Sequence, residues 1–251
     1  VKSRASAARI VLGFALSWLG VSSLRAETLE EILERHFAAL GGKEKIAAVQ
    51  TVRMVGTQSF GPQQAGFQMA WKRPNQLRLE FQLQGMTGIQ AYDGKQAWMV
   101  MPFLGKNDPE AMSEEDTRDF AEQADLVEGP LFNWKEKGHQ LELLGRESLE
   151  GTEAWKLKLT KKNGDVSILW LEAESYLLIK SSGKRKRGDQ EIDFEADFGD
   201  YKQVDGLLFA HTIEQKRKGA PAGSTITLER IELNVPIDSS LFEMPAKGVK
   251  S

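Results

Sequence analysis

Two apolar periods follow one another along the chain. Leu29, Ile32, Leu33, Phe37 and Leu40 recur at helical spacing and form one apolar stripe. Thr28 stands at the N-cap position, and Glu31 three residues later completes a capping box. Gly41-Gly42 supplies the left-handed residues that end a helix, and residues 43–49 read as a short further turn. From residue 50 the period becomes two. Val52/Met54, Phe67/Met69/Trp71 and Leu77/Leu79/Phe81/Leu83 alternate with polar residues, most cleanly where Arg78, Glu80 and Gln82 intervene. Such alternation buries one face of a strand and wets the other.

The strand pattern continues with tight turns between its pieces. Asp93-Gly94 is a hairpin signal between residues 89–92 and 96–101, and Asn163-Gly164 and Asp205-Gly206 mark two more. Further alternating candidates are Leu141/Leu143, Trp155/Leu157/Leu159, Val166/Ile168/Trp170, Leu177/Ile179, Ile192/Phe194/Ala196/Phe198, Phe209/His211/Ile213 and Ile226/Leu228. Residues 101–138 interrupt the series. They hold Pro102, Pro109 and Pro130, a helix start at Ser113-Glu114-Glu115-Asp116, and an apolar cluster of Leu131, Phe132 and Trp134 after Phe120, Ala124 and Val127. A long insertion of this kind in a β chain is often a lid or binding loop.

The expected fold is mainly β: about 11 or 12 strands in an antiparallel meander, too many for a flat sheet, so the sheet should curl. An incomplete half-barrel of this kind needs a cover on its concave apolar face. The N-terminal helix and the 102–138 insertion are the available covers. Met54, Phe67, Met69, Trp71, Leu79, Phe81, Trp98, Trp155, Leu157 and Trp170 are the candidates for the inward face, and Phe120, Leu131, Phe132 and Trp134 for the lid. Met and Trp adapt to an irregular ligand, although these residue types also suit an ordinary core.

Composition narrows the function classes. The 251 residues include 33 Lys+Arg against 36 Asp+Glu, for a net charge of −3, with 41% hydrophobic residues and no Cys. This is a globular composition. It excludes a disulfide framework, a Cys-based zinc or iron–sulfur site and a Cys nucleophile, and it argues against a nucleic-acid groove. Residues 1–26 read as an export signal: Lys2, Arg4 and Arg9 precede a mostly apolar run at 10–21, then small residues up to Ala26. The run is short for a membrane span. Cleavage near Ala26 would remove four basic residues and no acids, leaving 29 against 36 and a charge of −7 on residues 27–251, which read as one domain. The expected location is the periplasm.

Candidate chemistry is sparse. His36, His139 and His211 lack metal-ligand spacing. Glu191, Asp193, Glu195 and Asp197 alternate with apolar residues, as on the solvated face of a strand. Lys184-Arg185-Lys186-Arg187, between Gly183 and Gly188, reads as a hairpin tip, solvated or set against an anionic membrane surface. No nucleophile–base constellation or phosphate loop is visible, so neither catalysis nor a cofactor or metal is expected.

Several stretches, in this order, resemble the outer-membrane lipoprotein-sorting (LolA-like) family. They are Leu40-Gly41-Gly42, Tyr92-Asp93-Gly94-Lys95-Gln96-Ala97-Trp98 with Pro102, Gly129-Pro130-Leu131, Lys135-Glu136-Lys137-Gly138-His139 and Leu144-Gly145-Arg146-Glu147. Gly151, Trp155-Lys156-Leu157, Leu171-Glu172, Asp200-Tyr201, Asp205-Gly206, Asn234, Ile237-Asp238, Phe242 and Pro245 complete the series. The resemblance implies an incomplete antiparallel barrel with helices as a lid. It also implies a hydrophobic cavity that binds the acyl chains of lipoproteins or other lipids. The leading reading is a carrier that shuttles them between membranes, with inner- or outer-membrane protein partners; the alternative is a non-enzymatic lipid sensor or adaptor acting with a membrane partner. In the best-studied carrier of that family an arginine on an early strand hydrogen-bonds to the lid; the early arginines here are Arg53, Arg73 and Arg78, and the resemblance assigns that role to none of them.

Overall fold

The computed structural model describes residues 27–187, 190–217 and 223–246. The expected export signal at 1–26, with Ala26, lies outside them. Two helices, α1 (Leu29–Ala39) and α2 (Lys43–Ala48), precede six strands: β1 (Thr51–Phe60), β2 (Gln63–Lys72), β3 (Gln76–Leu83), β4 (Met86–Tyr92), β5 (Ala97–Met101) and β6 (Lys106–Ala111). After α3 (Glu114–Glu122) come β7 (Gln140–Leu149), β8 (Thr152–Thr160), β9 (Val166–Glu172), β10 (Leu178–Arg187), β11 (Gln190–Val204), β12 (Leu207–Arg217) and β13 (Ser224–Leu233).

The capping box forms as the sequence implies. Thr28 Oγ1 accepts from the Glu31 amide at 3.3 Å, and Glu31 accepts from the Thr28 amide at 2.8 Å. The helix ends where Gly41 and Gly42 take φ of 115° and 102°. There the Leu208 amide donates to the Leu40 carbonyl at 2.9 Å and ties α1 to β12.

All 13 strands form one curved antiparallel sheet, in the order β6-β5-β4-β3-β2-β1-β13-β12-β11-β10-β9-β8-β7. It is not one meander in chain order. Strands β1–β6 run outward on one side and β7–β13 return on the other, joined where β1 pairs with β13. Both β6 and β7 are therefore free edges, and the sheet stays open. Strand β6, with Pro109, was hidden in the sequence because its residues KNDPEA carry no apolar alternation. Proline is tolerated there because the strand is an edge.

This topology explains the cover. The chain leaves one edge of the sheet at Ala111 and must enter the other edge at Gln140. It crosses the concave face to do so. The covering segment is thus 112–139, shorter than the 102–138 insertion expected, since 106–111 belong to the sheet. Its Met112, Phe120, Ala124, Leu131 and Phe132 join Ile32, Leu33 and Phe37 of α1 and the inward strand residues in a single core cluster.

The convex face has its own cover. Ala70, Ile237 and Phe242 form a small cluster as the segment after β13 returns over β2 and β3. Lys72 Nζ donates to the Ile237 carbonyl at 2.9 Å and Ser239 Oγ at 2.8 Å, and Arg78 Nη1 donates to the Leu241 carbonyl at 3.1 Å. The acidic row of β11 also lies on a solvated face, where Lys180 pairs with Glu195 at 2.6 Å and Lys184 with Glu191 at 2.7 Å. The basic run from Lys184 to Arg187 closes β10 as strand, not as a turn. The tip after it, with Gly188, lies outside the described residues.

Candidate functional site: a covered apolar trough

Register decides which side chains share the concave face, because directly paired residues point the same way. Met54 pairs with Met69, Val52 with Trp71, Trp71 with Leu77, Met69 with Leu79 and Phe67 with Phe81. On the other half Trp155 pairs with Leu171 and Leu157 with Leu169. Met54, Trp71, Trp155 and Leu157 are buried beneath the helices and the crossover. Phe67, Met69, Leu79 and Phe81 are half-buried further along the same face. The trough therefore has a closed end and an apolar floor that runs on toward solvent.

Two expected inward residues are on the other side. Trp98 pairs with Ala91 and packs with Ile89 and Val100 in a separate convex cluster. Its Nε1 donates to the Phe242 carbonyl at 2.8 Å, and the Arg78 guanidinium lies 5.5 Å from its ring centroid. Trp170 pairs with Lys156 between inward Leu169 and Leu171, and donates to Glu147 at 3.0 Å. Strands β5 and β9 are apolar on both faces, so alternation alone could not assign a face. On β9 the inward residues are Ser167, Leu169 and Leu171 rather than Val166, Ile168 and Trp170.

Other trough residues were not among those expected on the inward face. Phe103 lies 5.5 Å from Phe81, ring to ring. Gly88 makes room for both: a Cβ there would stand 2.7 Å from Phe81 and 2.8 Å from Phe103. Phe209 and Ile226 are half-buried against the core cluster from the opposite half of the sheet.

The cover is held by few polar contacts. Trp71 Nε1 donates to the Ala124 carbonyl at 2.6 Å. Arg73 reaches Glu128 at 2.8 Å through Nη1 and the α2 cap carbonyl of Val49 at 2.8 Å through Nε. Of Arg53, Arg73 and Arg78, Arg73 is the one that binds the crossover among the described residues, while Arg78 reaches Glu80 and the Leu241 carbonyl. Within the crossover, Lys137 pairs with Asp125 at 2.7 Å and donates to the Gly129 carbonyl at 2.8 Å. Burial raises the Asp125 pKa above its ordinary value, and Lys137 opposes the rise. At the ends, Gln96 donates to the Met112 carbonyl at 3.0 Å and Thr117 Oγ1 at 3.0 Å, while Lys161 pairs with Glu122 at 2.8 Å. Of the expected lid residues, Phe120, Leu131 and Phe132 are buried and Trp134 is half-buried. Phe132 meets Phe37 of α1 edge-on at 5.5 Å.

The histidines serve structure. His36, buried on α1, donates from Nδ1 to the Tyr176 carbonyl at 2.7 Å, and burial lowers its pKa from 6.5. His211 is buried with Nδ1 3.0 Å from the Phe209 carbonyl. His139 accepts from the Lys162 amide at 3.2 Å. Among the described residues no group of three His, Asp or Glu could hold a metal, and no helix is long and apolar enough to cross a membrane.

Residues 86–246 match the model of a family described as uncharacterized protein-like. No curated protein matches the sequence. Among solved structures, a DUF1329 family protein from Desulfovibrio piger is similar at 13% identity, covering 87% of this chain and 98% of its own, with a TM-score of 0.61. A domain assigned to outer membrane lipoprotein sorting from Vibrio parahaemolyticus is 14% identical over 84% of this chain and 94% of its own, TM-score 0.58. A LolA superfamily protein from Nitrosomonas europaea is 14% identical over 87% and 98%, TM-score 0.57. At such identities the likeness is one of fold. The chain belongs to the uncharacterized protein-like family whose model spans residues 86–246, and its open, covered half-barrel is the fold of the LolA-like lipoprotein-sorting proteins.

Proposed function

We propose that this protein is a periplasmic carrier that takes the acyl chains of lipoproteins or other lipids into the trough and moves them between membranes. The observation that carries the reading is the continuity of the apolar face. Buried Met54 and Trp71 lead without a polar break to half-buried Met69, Phe67, Leu79 and Phe81, and the closed end lies under a crossover held by a few polar contacts. The fold shared with lipoprotein-sorting proteins supports the choice of ligand.

The energetics suit a carrier. Burial of an acyl chain yields about 0.8 kcal/mol per methylene, on the order of 12 kcal/mol for ~15 methylenes. A membrane offers a similar gain, so uptake and release are nearly balanced. Opening the cover sets that balance.

The test is extraction from vesicles. Residues 27–251 are incubated with vesicles carrying a radiolabelled acyl lipid, and the vesicles are floated away. Label remaining with the protein, and reduced by Met69→Asp in a folded variant, supports the carrier. Absence of label in the protein fraction contradicts it.

A further inference from the structure

We propose that the trough has a polar end at Trp155 and Arg146, where the carbonyl or carboxylate end of an acyl chain is held; this rests on the carrier reading above. The starting observation is Trp155 Nε1. It is buried on the concave face, and no protein group among the described residues accepts its hydrogen bond. The indoles of Trp71, Trp98 and Trp170 all donate, at 2.6, 2.8 and 3.0 Å. A buried donor left without an acceptor costs roughly 1–3 kcal/mol, and a ligand that brings an acceptor recovers that cost.

The surroundings specify what the acceptor would be. The Arg146 guanidinium lies 4.2 Å from the Trp155 ring centroid, with its side chain half exposed. Arg146 Nη2 stands 3.8 Å from Glu27, and Arg35 Nη1 stands 3.0 Å from the same residue. Tyr176 donates to Glu27 at 2.9 Å and accepts from Arg35 at 2.7 Å. Two guanidiniums thus share one carboxylate beside an indole donor, so the local charge favours an oxygen acceptor bearing partial or full negative charge. From Trp155 the inward row continues through Leu157 and Leu159 on β8, flanked by Leu171 and Leu169 on β9. The polar group is therefore set at one end of an apolar row. That row is filled by the cover and α1 in the closed form; once the cover lifts, a hydrocarbon chain laid along it places its oxygen end at Trp155, with Arg146 closing over it at the solvent boundary.

The test uses laurate, methyl laurate and dodecane as competitors for 1-N-phenylnaphthylamine bound to residues 27–251. The readout is the ratio of affinities within each protein, so a general loss of packing cancels. Wild type prefers laurate and methyl laurate to dodecane, and Trp155→Phe lowers both preferences about 5- to 10-fold, the range expected for one lost hydrogen bond. Arg146→Met separates the two sources of the acceptor. A loss confined to laurate assigns a free carboxylate, and equal retention of both assigns an ester carbonyl. In wild type the Trp155 indole N–H resonance should move downfield with laurate or methyl laurate and stay fixed with dodecane, a reading that needs no variant. Unchanged ratios in Trp155→Phe, or a resonance indifferent to the oxygen, would overturn the polar end while leaving the carrier intact. Failure of wild type to bind the dye or any competitor would overturn both.

Discussion

Replacing Arg73 with Met tests how the cover is held. The methionine keeps an apolar stem beside Trp71, whose ring centroid lies 5.6 Å from the Arg73 guanidinium. It removes the ion pair to Glu128 and the hydrogen bond to the Val49 carbonyl, both at 2.8 Å. The contact to the Ile46 carbonyl at 3.4 Å counts for little. Side-chain exposures of 26% for Arg73 and 20% for Glu128 mean that water partly screens the ion pair, so it is worth about 1 kcal/mol. The hydrogen bond to Val49 ties the end of β2 to the end of α2, outside the crossover, so it contributes to the fold and not to the hold on the cover. Lys137, 3.6 Å from Glu128, keeps that carboxylate from being stranded. Only the Glu128 contact reaches the crossover, so its loss of about 1 kcal/mol corresponds to roughly 5-fold easier opening of the cover. Native-state hydrogen exchange reads this directly. The amides of Ala124, Gly129 and Lys137 are bonded within the crossover and should exchange about 5-fold faster in the variant. The amide of Leu157, deep in the sheet, should keep its rate. Equal acceleration at Leu157, or none at Ala124, would refute the view that Arg73 holds a cover that opens on its own.

Three further outcomes follow from named contacts. Thr28→Ala removes the capping box and should cost about 1 kcal/mol, read as a lower denaturant midpoint at unchanged slope. Gly41→Ala should cost about 3 kcal/mol or more, because φ is 115° and the new Cβ would lie 2.2 Å from the Gly206 carbonyl oxygen; a loss no greater than that of Thr28→Ala would count against the pinned α1–β12 junction. His36 is held neutral by burial, with its pKa lowered from 6.5. Its contribution to stability is therefore complete above that pH and declines as pH falls through it toward the folded pKa, because the unfolded chain takes up the proton first. The unfolding free energy should fall with pH across that window, and His36→Gln should flatten the fall.

The fold was legible where period and punctuation agreed. The α1 stripe with its cap and glycine stop, the hairpins at Asp93-Gly94, Asn163-Gly164 and Asp205-Gly206, and the clean alternation of Leu77, Leu79 and Phe81 each specify one local answer. What failed was information that no single segment holds. Pairing of β1 with β13 is non-local, so two meanders read as one. Strand β6 is an exposed edge and needs no apolar face. Trp98 and Trp170 sit on strands buried on both sides, one beneath the segment around Phe242 and the other against Lys156 and Glu147. The residue types at Trp155 and Arg146 were visible in the sequence. Their juxtaposition was not, since it depends on the β7–β8 register and the bulge between Leu143 and Gly145.

The central claim is that the trough carries acyl chains, and native mass spectrometry of residues 27–251 isolated from a bacterial periplasm tests it most directly, with lipid extraction of the same sample. The account predicts a bound mass that contains acyl chains and dissociates when the cover is loosened by Arg73→Met. A protein that flies only at its own mass, and takes up nothing from added lipid, would contradict it and leave the apolar face as an ordinary core.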